Sequence, residues 1–320
     1  MAKTNKKLIS IIVPCFNEEE VLPLFYKEFT KVAKSFKYDY ELILVNDGSK
    51  DNTLQVMESL AKKDKHIVYL SFSRNFGKES AMYAGLNNAN GDYVGFIDAD
   101  LQHPPALLKQ MIEKLDTGDY DCAACRRVDR KGDSKVRTFF SRIFYKLVNK
   151  ISDAQMTDGA GDYRLMTREM VDAVLSMTEY NRFSKGIFSW VGFNTCWINY
   201  ENVDRAAGTT SWSFWKLVKY AMDGFVNFSN APLDIATWLG LLFSLVAFLY
   251  LIFIIIKYAI FGDPVQGWAT TICVILIIGG IQLFSIGIMG QYIGKTYMEV
   301  KNRPHYIISK TNKKDSKNIK

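Results

Sequence analysis

Short apolar runs in the first 120 residues alternate with longer stretches in which apolar side chains recur at helical spacing. Residues 8–14 (LISIIVP) form a continuous apolar, β-branched run, which is typical of a strand buried on both faces. Asn17 and Glu20 then resemble a capping box. Apolar residues follow at helical spacing: Leu22, Phe25, Phe29, Val32 and Phe36. The first predicted unit is therefore a strand followed by a helix.

The same order of strand and helix recurs along the chain. Further strands are predicted at residues 41–45, 67–71 and 93–97, and each is followed by a stretch with helical features: after residue 51, around residues 80–88 and from Pro104 onward. Alternating strands and helices predict an α/β domain with a mostly parallel, doubly wound sheet.

Polar residues follow each of these four strands: residues 15–18 (CFNE), 46–49 (NDGS), 73–78 (SRNFGK) and 98–100 (DAD). Ordinary turn and cap chemistry could explain any one of these loops. Ligands of doubly wound sheets, however, bind beyond the carboxyl ends of the strands. Four polar loops at one edge therefore predict a binding site there.

The pattern changes beyond residue 210. Residues 235–256 and 269–293 contain no charged residue or histidine, and the shorter stretch would be about 33 Å long as a helix, against about 30 Å for a bilayer core. Both are predicted to span a membrane. Before them, apolar residues recur at helical spacing between Phe214 and Phe225, which predicts an amphipathic helix at the membrane interface. A helix packed on the soluble domain is the alternative.

The chain is therefore divided into an α/β domain (1–210), an amphipathic juxtamembrane helix (211–231), a transmembrane hairpin (232–294) and a basic tail (295–320). Of the formal charge of +7, the tail alone contributes eight Lys and Arg against two acids. This uneven distribution argues against a nucleic-acid-binding surface. The bias of basic residues places the domain and both termini on the cytosolic side of the cell membrane, in a multi-pass arrangement.

Five scattered cysteines argue against a disulfide framework and favour a reducing compartment. Cys122 and Cys125 form a CxxC, but without a second pair or nearby histidines we expect them to be small residues on a buried strand rather than metal ligands. The apolar stretch at the N-terminus is too short for an export signal.

Asp98 and Asp100 end a predicted strand, so both carboxylates can reach a divalent cation beyond the sheet edge. Such oxygen ligands suit Mg²⁺ or Mn²⁺ held jointly with substrate phosphates. A DxD alone is a weak signal, but residues 102–105 (QHPP) stop the loop and begin a helix, which strengthens it. The common dinucleotide, P-loop and zincin motifs are absent from the sequence.

Seven segments in this order resemble the family 2 glycosyltransferases of GT-A fold, and specifically the membrane-bound polyprenyl-phosphate glycosyltransferases, which include bactoprenol glucosyltransferases and dolichol-phosphate mannosyltransferases. The segments are VPCFNEEE, LVNDGSKD, SRNFGKES, IDADLQHPP, RKGDS, DGAGDYRLM and NRFSKGIFSWVGF. The resemblance covers residues 8–230 and extends to the paired C-terminal helices, which favour the bactoprenol type.

The resemblance implies roles for individual residues. The nucleotide-sugar donor would be bound by Pro14, Asn17, Glu18, Asp47, Asp98 and Gln102, and the metal by Asp98 and Asp100. Asp158 matches the proposed catalytic base, and Asp162 is a second candidate. The second motif has Asn46 where many relatives have aspartate, so a base-binding role for Asn46 stays open.

The implied acceptor is undecaprenyl phosphate, whose phosphate is mostly dianionic at neutral pH. Cations are needed to hold it near the sugar, and residues 126–150 carry nine Lys and Arg against two acids. The predicted phosphate-binding residues are Arg126, Arg127, Lys131, Arg137, Arg164 and Arg205. A basic face turned to solvent or lipid headgroups is the alternative for this segment, most strongly for Lys146 and Lys150.

The predicted activity is metal-dependent transfer of a hexose or N-acetylhexosamine from a nucleotide-diphosphate sugar, preferably UDP-linked, with inversion. Three alternatives are kept: use of GDP-mannose, a processive polysaccharide synthase, and a non-catalytic nucleotide- or lipid-binding adaptor. The chain lacks the QxxRW motif of processive synthases and retains both the DxD and the Asp158 motif. Small residues on the second span (Gly279, Gly280, Gly287 and Gly290) favour a homo-oligomer, and the resemblance implies a tetramer.

Overall fold

The computed structural model describes residues 7–127, 157, 159–200, 231–261 and 267–314. Some of the predictions concern residues outside these ranges. They are the amphipathic helix over residues 214–225 and the site residues Asp158, Lys131, Arg137 and Arg205.

An eight-stranded mixed sheet forms the centre of the domain. Its strands are β1 (Leu8–Cys15), β2 (Asp39–Asn46), β3 (Ile67–Phe72), β4 (Tyr93–Phe96), β5 (Cys122–Arg127), β6 (Ala160–Thr167), β7 (Thr195–Tyr200) and β8 (Ile308–Thr311), in the spatial order β7-β5-β6-β4-β1-β2-β3-β8. β6 and β8 run antiparallel to their neighbours, and the other described strands share one direction. The predicted mostly parallel sheet is confirmed.

Helices cover both faces of this sheet, as a doubly wound fold requires. α1 (Leu22–Ala33), α2 (Thr53–Lys63) and α4 (Leu107–Asp116) share one apolar cluster with β1 residues such as Ile9 and Ile11. α3 (Lys78–Asn88), α5 (Arg168–Ser176) and α6 (Ser184–Trp190) share the other with Ile12 and Ile43. Because side chains alternate along β1, its continuous apolar run supplies both clusters.

Burial on α1 follows the predicted helical spacing. Leu22, Phe25 and Phe29 are fully buried, and Phe25 stacks on Phe29 with ring centroids 5.9 Å apart. The helix starts later than the capping-box pattern predicts. The N-cap is Val21, whose apolar side chain cannot accept a cap bond, and Asn17 instead lies in a turn with a positive φ of 57°.

Two long apolar helices follow the domain in sequence. α7 (Ala231–Phe261) and α8 (Trp268–Val300) contact each other, and each has a segment apolar and long enough to cross a membrane, Leu233–Tyr250 in α7 and Ile277–Val300 in α8. None of the residues in these two segments is buried by the protein itself. Both helices extend beyond the predicted spans, and α8 continues through Lys295 and Glu299.

After α8 the chain returns to the α/β domain. β8 pairs antiparallel with β3, and the side chain of Tyr306, just before it, is 1% exposed. Asn312 closes the edge: its Oδ1 accepts from the Tyr69 amide at 2.9 Å, and its Nδ2 donates to the Ile67 carbonyl at 2.8 Å. Residues 295–320 were predicted only as a basic tail, so the eighth strand is a feature that the sequence analysis did not predict.

Candidate active site

The four polar loops meet at one edge of the sheet, as predicted. The β1–β2 register pairs Cys15 with Asn46, and the β1–β4 register pairs Ile12 with Phe96. The carboxyl ends of these parallel strands therefore lie side by side, and the loops that follow them share that edge.

The DxD segment forms a tight turn directly after β4. The Gln102 amide donates to Asp100 Oδ1 at 3.1 Å, and Leu101 has a positive φ of 59°. A non-glycine residue in this left-handed region is uncommon and costs free energy. The turn places Asp98 and Asp100 at the sheet edge, both partly exposed, while Ala99 between them is buried.

Lys78 joins the DxD to a second carboxylate. Its Nζ lies 2.7 Å from Asp98 Oδ1 and 2.8 Å from Asp162 Oδ2. Lys78 is the first residue of α3, Asp98 follows β4 and Asp162 lies on β6, so the contacts join three separate elements. We call these three residues the carboxylate–lysine cluster.

All three members of the carboxylate–lysine cluster remain partly accessible: the side chains of Lys78, Asp98 and Asp162 are 44%, 29% and 20% exposed. Burial raises the pKa of Asp162, but Lys78, assisted by Lys185, outweighs it, and the net pKa is well below the usual range. Burial lowers the pKa of Lys78, but its two carboxylate partners raise it by more. Lys78 and Asp162 are therefore charged at neutral pH.

Glu79, next along α3, connects the cluster to the segment before α6. Its Oε2 accepts from the Ser184 amide at 3.1 Å and also from the Ser184 hydroxyl. Burial and, to a lesser extent, the charge of Asp162 raise the pKa of Glu79 to about 7. Lys185, the residue after Ser184, is close enough to lower the pKa of Asp162 by its charge.

Arg164, predicted for the acceptor phosphate, is buried beneath this edge and is 4% exposed. Its Nη2 donates to the Gly161 carbonyl at 3.0 Å, its Cζ lies 3.9 Å from the centroid of the Phe188 ring, and its Nε has no hydrogen-bond partner among the described residues. Burial lowers its pKa. In this geometry Arg164 supports the β6 segment that holds Asp162.

His103, within the QHPP segment, packs between two aromatic rings, with centroid distances of 5.3 Å to both Tyr163 and Tyr200. Its Nδ1 is buried without a hydrogen-bond partner in the described part of the chain. Burial lowers its pKa, against the opposing effect of the nearby Asp98. The Tyr163 hydroxyl donates to the Pro104 carbonyl at 3.0 Å, which anchors the loop after the DxD.

The loops after β1 and β2 bind each other. The Asn17 amide donates to Ser49 Oγ at 2.9 Å, and Asn17 Oδ1 accepts from the Lys50 amide at 2.9 Å. The Glu18 amide donates to Thr53 Oγ1 at 2.8 Å. Pro14, the remaining predicted donor-binding residue of this segment, lies within β1.

Asp47 is 4% exposed and its carboxylate is occupied by the loop after β3. The amides of Phe76 and Gly77 donate to it at 2.6 and 2.9 Å. Burial raises its pKa to about 6, although these two bonds and Arg74 oppose the change. Asp47 therefore shapes the wall of the predicted donor site. Asn46 beside it donates to Ser71 Oγ at 3.0 Å.

The basic segment is described only at its start. Arg126 and Arg127 end β5, and Arg126 Nε donates to Asn199 Oδ1 at 3.2 Å on the adjacent β7. Cys122 and Cys125 lie on the same strand in the two different apolar clusters, on opposite faces of the sheet. Both cysteines are fully buried strand residues, as predicted.

Among the described residues, no group of three or more His, Cys, Asp or Glu side chains is placed to hold a metal ion. The donor set at the sheet edge is the DxD pair, and Mg²⁺ is commonly held by one or two carboxylates together with substrate phosphates. Asp98 and Asp100 therefore fit a divalent cation that binds together with a diphosphate.

Comparison with known proteins identifies the family. Residues 10–175 match Glycosyl transferase family 2, and residues 231–296 match the GtrB C-terminal hairpin. The chain is 45% identical over 305 residues to the putative glycosyltransferase CsbB of Bacillus subtilis, covering 95% of this chain and 92% of that protein. It belongs to glycosyl transferase family 2 and is a glycosyltransferase with the mixed α/β sheet of the GT-A fold.

One further relative and one solved structure have more specific descriptions. The SfII prophage-derived bactoprenol glucosyl transferase of Shigella flexneri is 44% identical over 305 residues, which cover 95% of this chain and 98% of that protein. Among solved structures, the glucosyl-3-phosphoglycerate synthase of Mycobacterium tuberculosis, in complex with Mn²⁺, UDP-glucose and phosphoglyceric acid, is 19% identical with a TM-score of 0.45; the match covers 68% of this chain and 76% of that one.

Proposed function

We propose that this glycosyltransferase transfers one sugar from a nucleotide-diphosphate sugar to undecaprenyl phosphate at the cytosolic face of the cell membrane. The observation that carries the proposal is the pairing of β8 with β3. The chain leaves the domain, passes through two apolar helices and returns to the same sheet whose edge holds the DxD. A soluble donor site is thereby attached to a lipid-facing segment.

The donor is best placed at the edge where the four loops meet. UDP is preferred because the similarity extends over nearly the whole of a bactoprenol glucosyl transferase, and the name of that relative also favours glucose as the sugar. Mg²⁺ or Mn²⁺, when bound with the donor, would offset the charge that develops on the leaving diphosphate. Asp98 and Asp100 would hold it. Pro14, Asn17, Glu18, Asp47 and Gln102 remain the proposed donor-site residues.

The transfer forms a bond between an acceptor phosphate oxygen and the anomeric carbon, while the bond from that carbon to the diphosphate breaks and its electron pair leaves with the diphosphate. One such displacement inverts the anomeric configuration. The acceptor is already mostly dianionic, so positioning matters more than proton removal. Asp162, which faces Lys78 in the described site, is a proposed catalytic residue together with Asp158.

Binding of the acceptor phosphate is assigned to the basic segment and its surroundings. Arg126 lies at the end of β5, beside β7, with Arg127 next to it, and this position supports the proposed role. Arg164 is proposed to act indirectly because its guanidinium is buried. Lys131, Arg137 and Arg205 complete the proposed set. Arginine suits this task because its planar group binds phosphate oxygens in pairs.

The connection between β8 and the sheet supports the proposed orientation. If α7 and α8 span the membrane, β8 requires the end of α8 to be on the same side as the catalytic domain. The basic residues after α8 favour the cytosol for that side, by the positive-inside bias. Exposed glycines on α8, including Gly280 and Gly287, leave room for close helix contacts in the proposed homo-oligomer, for which a tetramer is proposed.

A donor panel tests the proposal. The purified full-length chain in detergent is incubated with Mn²⁺ or Mg²⁺, undecaprenyl phosphate and radiolabelled UDP-glucose, UDP-N-acetylglucosamine, UDP-galactose or GDP-mannose, and the lipids are separated by thin-layer chromatography. We expect a labelled lipid with a UDP-sugar and none when undecaprenol replaces undecaprenyl phosphate. Label from GDP-mannose alone would favour the mannosyl alternative. The absence of labelled lipid with every donor would contradict the proposal.

A further inference from the structure

Lys78 has an unusual position for a lysine. It is the first residue of α3, where the partial positive charge of the helix N-terminus disfavours a cation. Its ammonium group nevertheless lies within 3.0 Å of both oxygens of Asp98 and 2.8 Å from Asp162 Oδ2. The two carboxylates, and not the helix to which Lys78 belongs, therefore stabilise its ammonium group in this position.

The two carboxylates need a cation in return. Asp98, just after β4, and Asp162, on the adjacent strand β6, approach the same ammonium group, and Glu79 adds a further acidic group nearby. Without Lys78, like charges would face each other in a partly buried edge, where repulsion is stronger than in bulk water. Lys78 is the cation that the described structure places between them.

Asp98 is also half of the DxD assigned to the metal. A carboxylate in direct contact with an ammonium is a weaker ligand for a second cation, because the two positive charges repel each other and share the same oxygens. Both oxygens of Asp98 contact Lys78. A metal that enters with the donor's diphosphate brings negative charge with it, which offsets this repulsion; a metal arriving alone does not.

We propose that Lys78 is a positioning residue that holds Asp98 and Asp162 together and competes with a divalent cation for Asp98, so that the cation binds well only in company with the donor diphosphate. This inference rests on the proposed function and extends it to the order of binding. Lys78 keeps Asp98 in place before the donor arrives and prevents unproductive occupation by the metal alone.

The test measures Mn²⁺ binding to the full-length protein in detergent, without nucleotide, from the electron paramagnetic resonance signal of free Mn²⁺. Wild type is compared with Lys78→Met and Lys78→Gln, with Lys78→Arg as the charge-conserving variant and Lys109→Met, an exposed lysine of α4, as the control. A second series repeats the titration with UDP present.

We expect Lys78→Met and Lys78→Gln to bind Mn²⁺ alone about tenfold more tightly than wild type, whereas Lys78→Arg and Lys109→Met behave like wild type. UDP should tighten Mn²⁺ binding strongly in wild type and much less in Lys78→Met. Adding Asp98→Asn should abolish the gain. A structural defect caused by the substitution would weaken Mn²⁺ binding, so tighter binding cannot be explained by such a defect.

Unchanged or weaker Mn²⁺ binding in both neutral variants would overturn the inference, as would undetectable binding in both. If Lys78→Met fails to fold, as judged by its gel-filtration profile, the inference is tested by the Mn²⁺ affinity of Lys78→Gln alone. The proposed function is judged separately on the same wild-type preparation: loss of lipid labelling there would contradict the transfer reaction, whatever the Mn²⁺ titrations give.

Discussion

Tyr306 stacks on Phe72, with ring centroids 5.2 Å apart and ring planes within 12° of parallel. Phe72 ends β3, whereas Tyr306 follows the second apolar helix. The contact therefore joins the end of the chain to the catalytic domain, and Lys313 adds a bond from its Nζ to the Asn88 carbonyl. Burial of the Tyr306 ring raises its pKa.

Replacing Tyr306 with alanine should destabilise the catalytic domain by about 3–5 kcal/mol, the usual cost of removing a large buried aromatic side chain. The measurement is thermal unfolding of the full chain in detergent. Ile307→Ala is the matched control, because the Ile307 side chain is 47% exposed. Equal effects of the two substitutions would show that the C-terminal segment does not dock as described.

Gly48 tests the geometry of the loop after β2. It has φ of +63°, and a Cβ at this position would lie 2.3 Å from the Arg74 carbonyl carbon. Gly48→Ala should therefore lower stability by about 2–4 kcal/mol, since it adds a backbone clash to the strain of a left-handed alanine. Weakened UDP binding should accompany the loss, because the loop lines the proposed donor site.

The control for this prediction is Gly118→Ala. Gly118 has φ of +79°, but nothing lies within 4 Å of the added Cβ. It should show only the conformational cost, about 1 kcal/mol, and unchanged UDP affinity. If both variants lose the same stability, the close approach between the loops after β2 and β3 is contradicted.

The raised pKa of Glu79 should make the stability of the domain depend on pH. Its pKa is raised to about 7 from an ordinary value of 4.5, so between these values the folded state binds more protons than the unfolded state. Its contribution is therefore fully present below pH 4.5 and is lost as the pH rises through 7. Asp47, with a pKa of about 6, acts in the same direction.

Glu79→Gln removes this titration and keeps an oxygen that can accept both Ser184 bonds. Thermal unfolding should show the variant about 1–3 kcal/mol more stable than wild type at pH 8 and close to it at pH 5. The fall in stability that Asp47 causes should remain in the variant, and it should lie between pH 3.8, the ordinary pKa, and about pH 6. A variant less stable than wild type at pH 8 would mean that ionised Glu79 is favourable in the folded state.

Asp162→Asn should lower kcat about 100-fold or more, because the neutral amide loses its charge contact with Lys78 and cannot act as a base. The KM for the donor should change less. Asp119→Asn, an exposed residue after α4, serves as the control and should be unaffected. Wild-type kcat in Asp162→Asn would leave Asp158 as the catalytic base candidate.

Local patterns in the sequence predicted much of the fold. The apolar runs and helical spacing located β1 to β4 and the helices between them, and uncharged length located α7 and α8. β8 could not be predicted in this way, because its four residues, 308–311 (ISKT), form too short and too polar a segment. They form a strand because they pair with the edge of β3. Burial of Tyr306 likewise depends on contacts distant in sequence.

The site was predicted in part. The DxD and its place at the sheet edge could be predicted from its position after a strand, but the role of Lys78 could not, although Lys78 lies in the motif SRNFGKES. Its role depends on the antiparallel pairing of β6 with β4, which brings Asp162 beside Asp98. The same applies to Glu79 and Ser184, which are 105 positions apart in the chain.

The most direct test of the account is the mass of the lipid product. Undecaprenyl phosphate is incubated with wild type and UDP-glucose, and the lipid is analysed by mass spectrometry in parallel with Asp98→Asn and the control Asp119→Asn. The account predicts a lipid heavier by a single hexose for wild type and Asp119→Asn, and at least a 100-fold slower reaction for Asp98→Asn. An unmodified lipid with every common donor sugar, or full activity in Asp98→Asn, would contradict it.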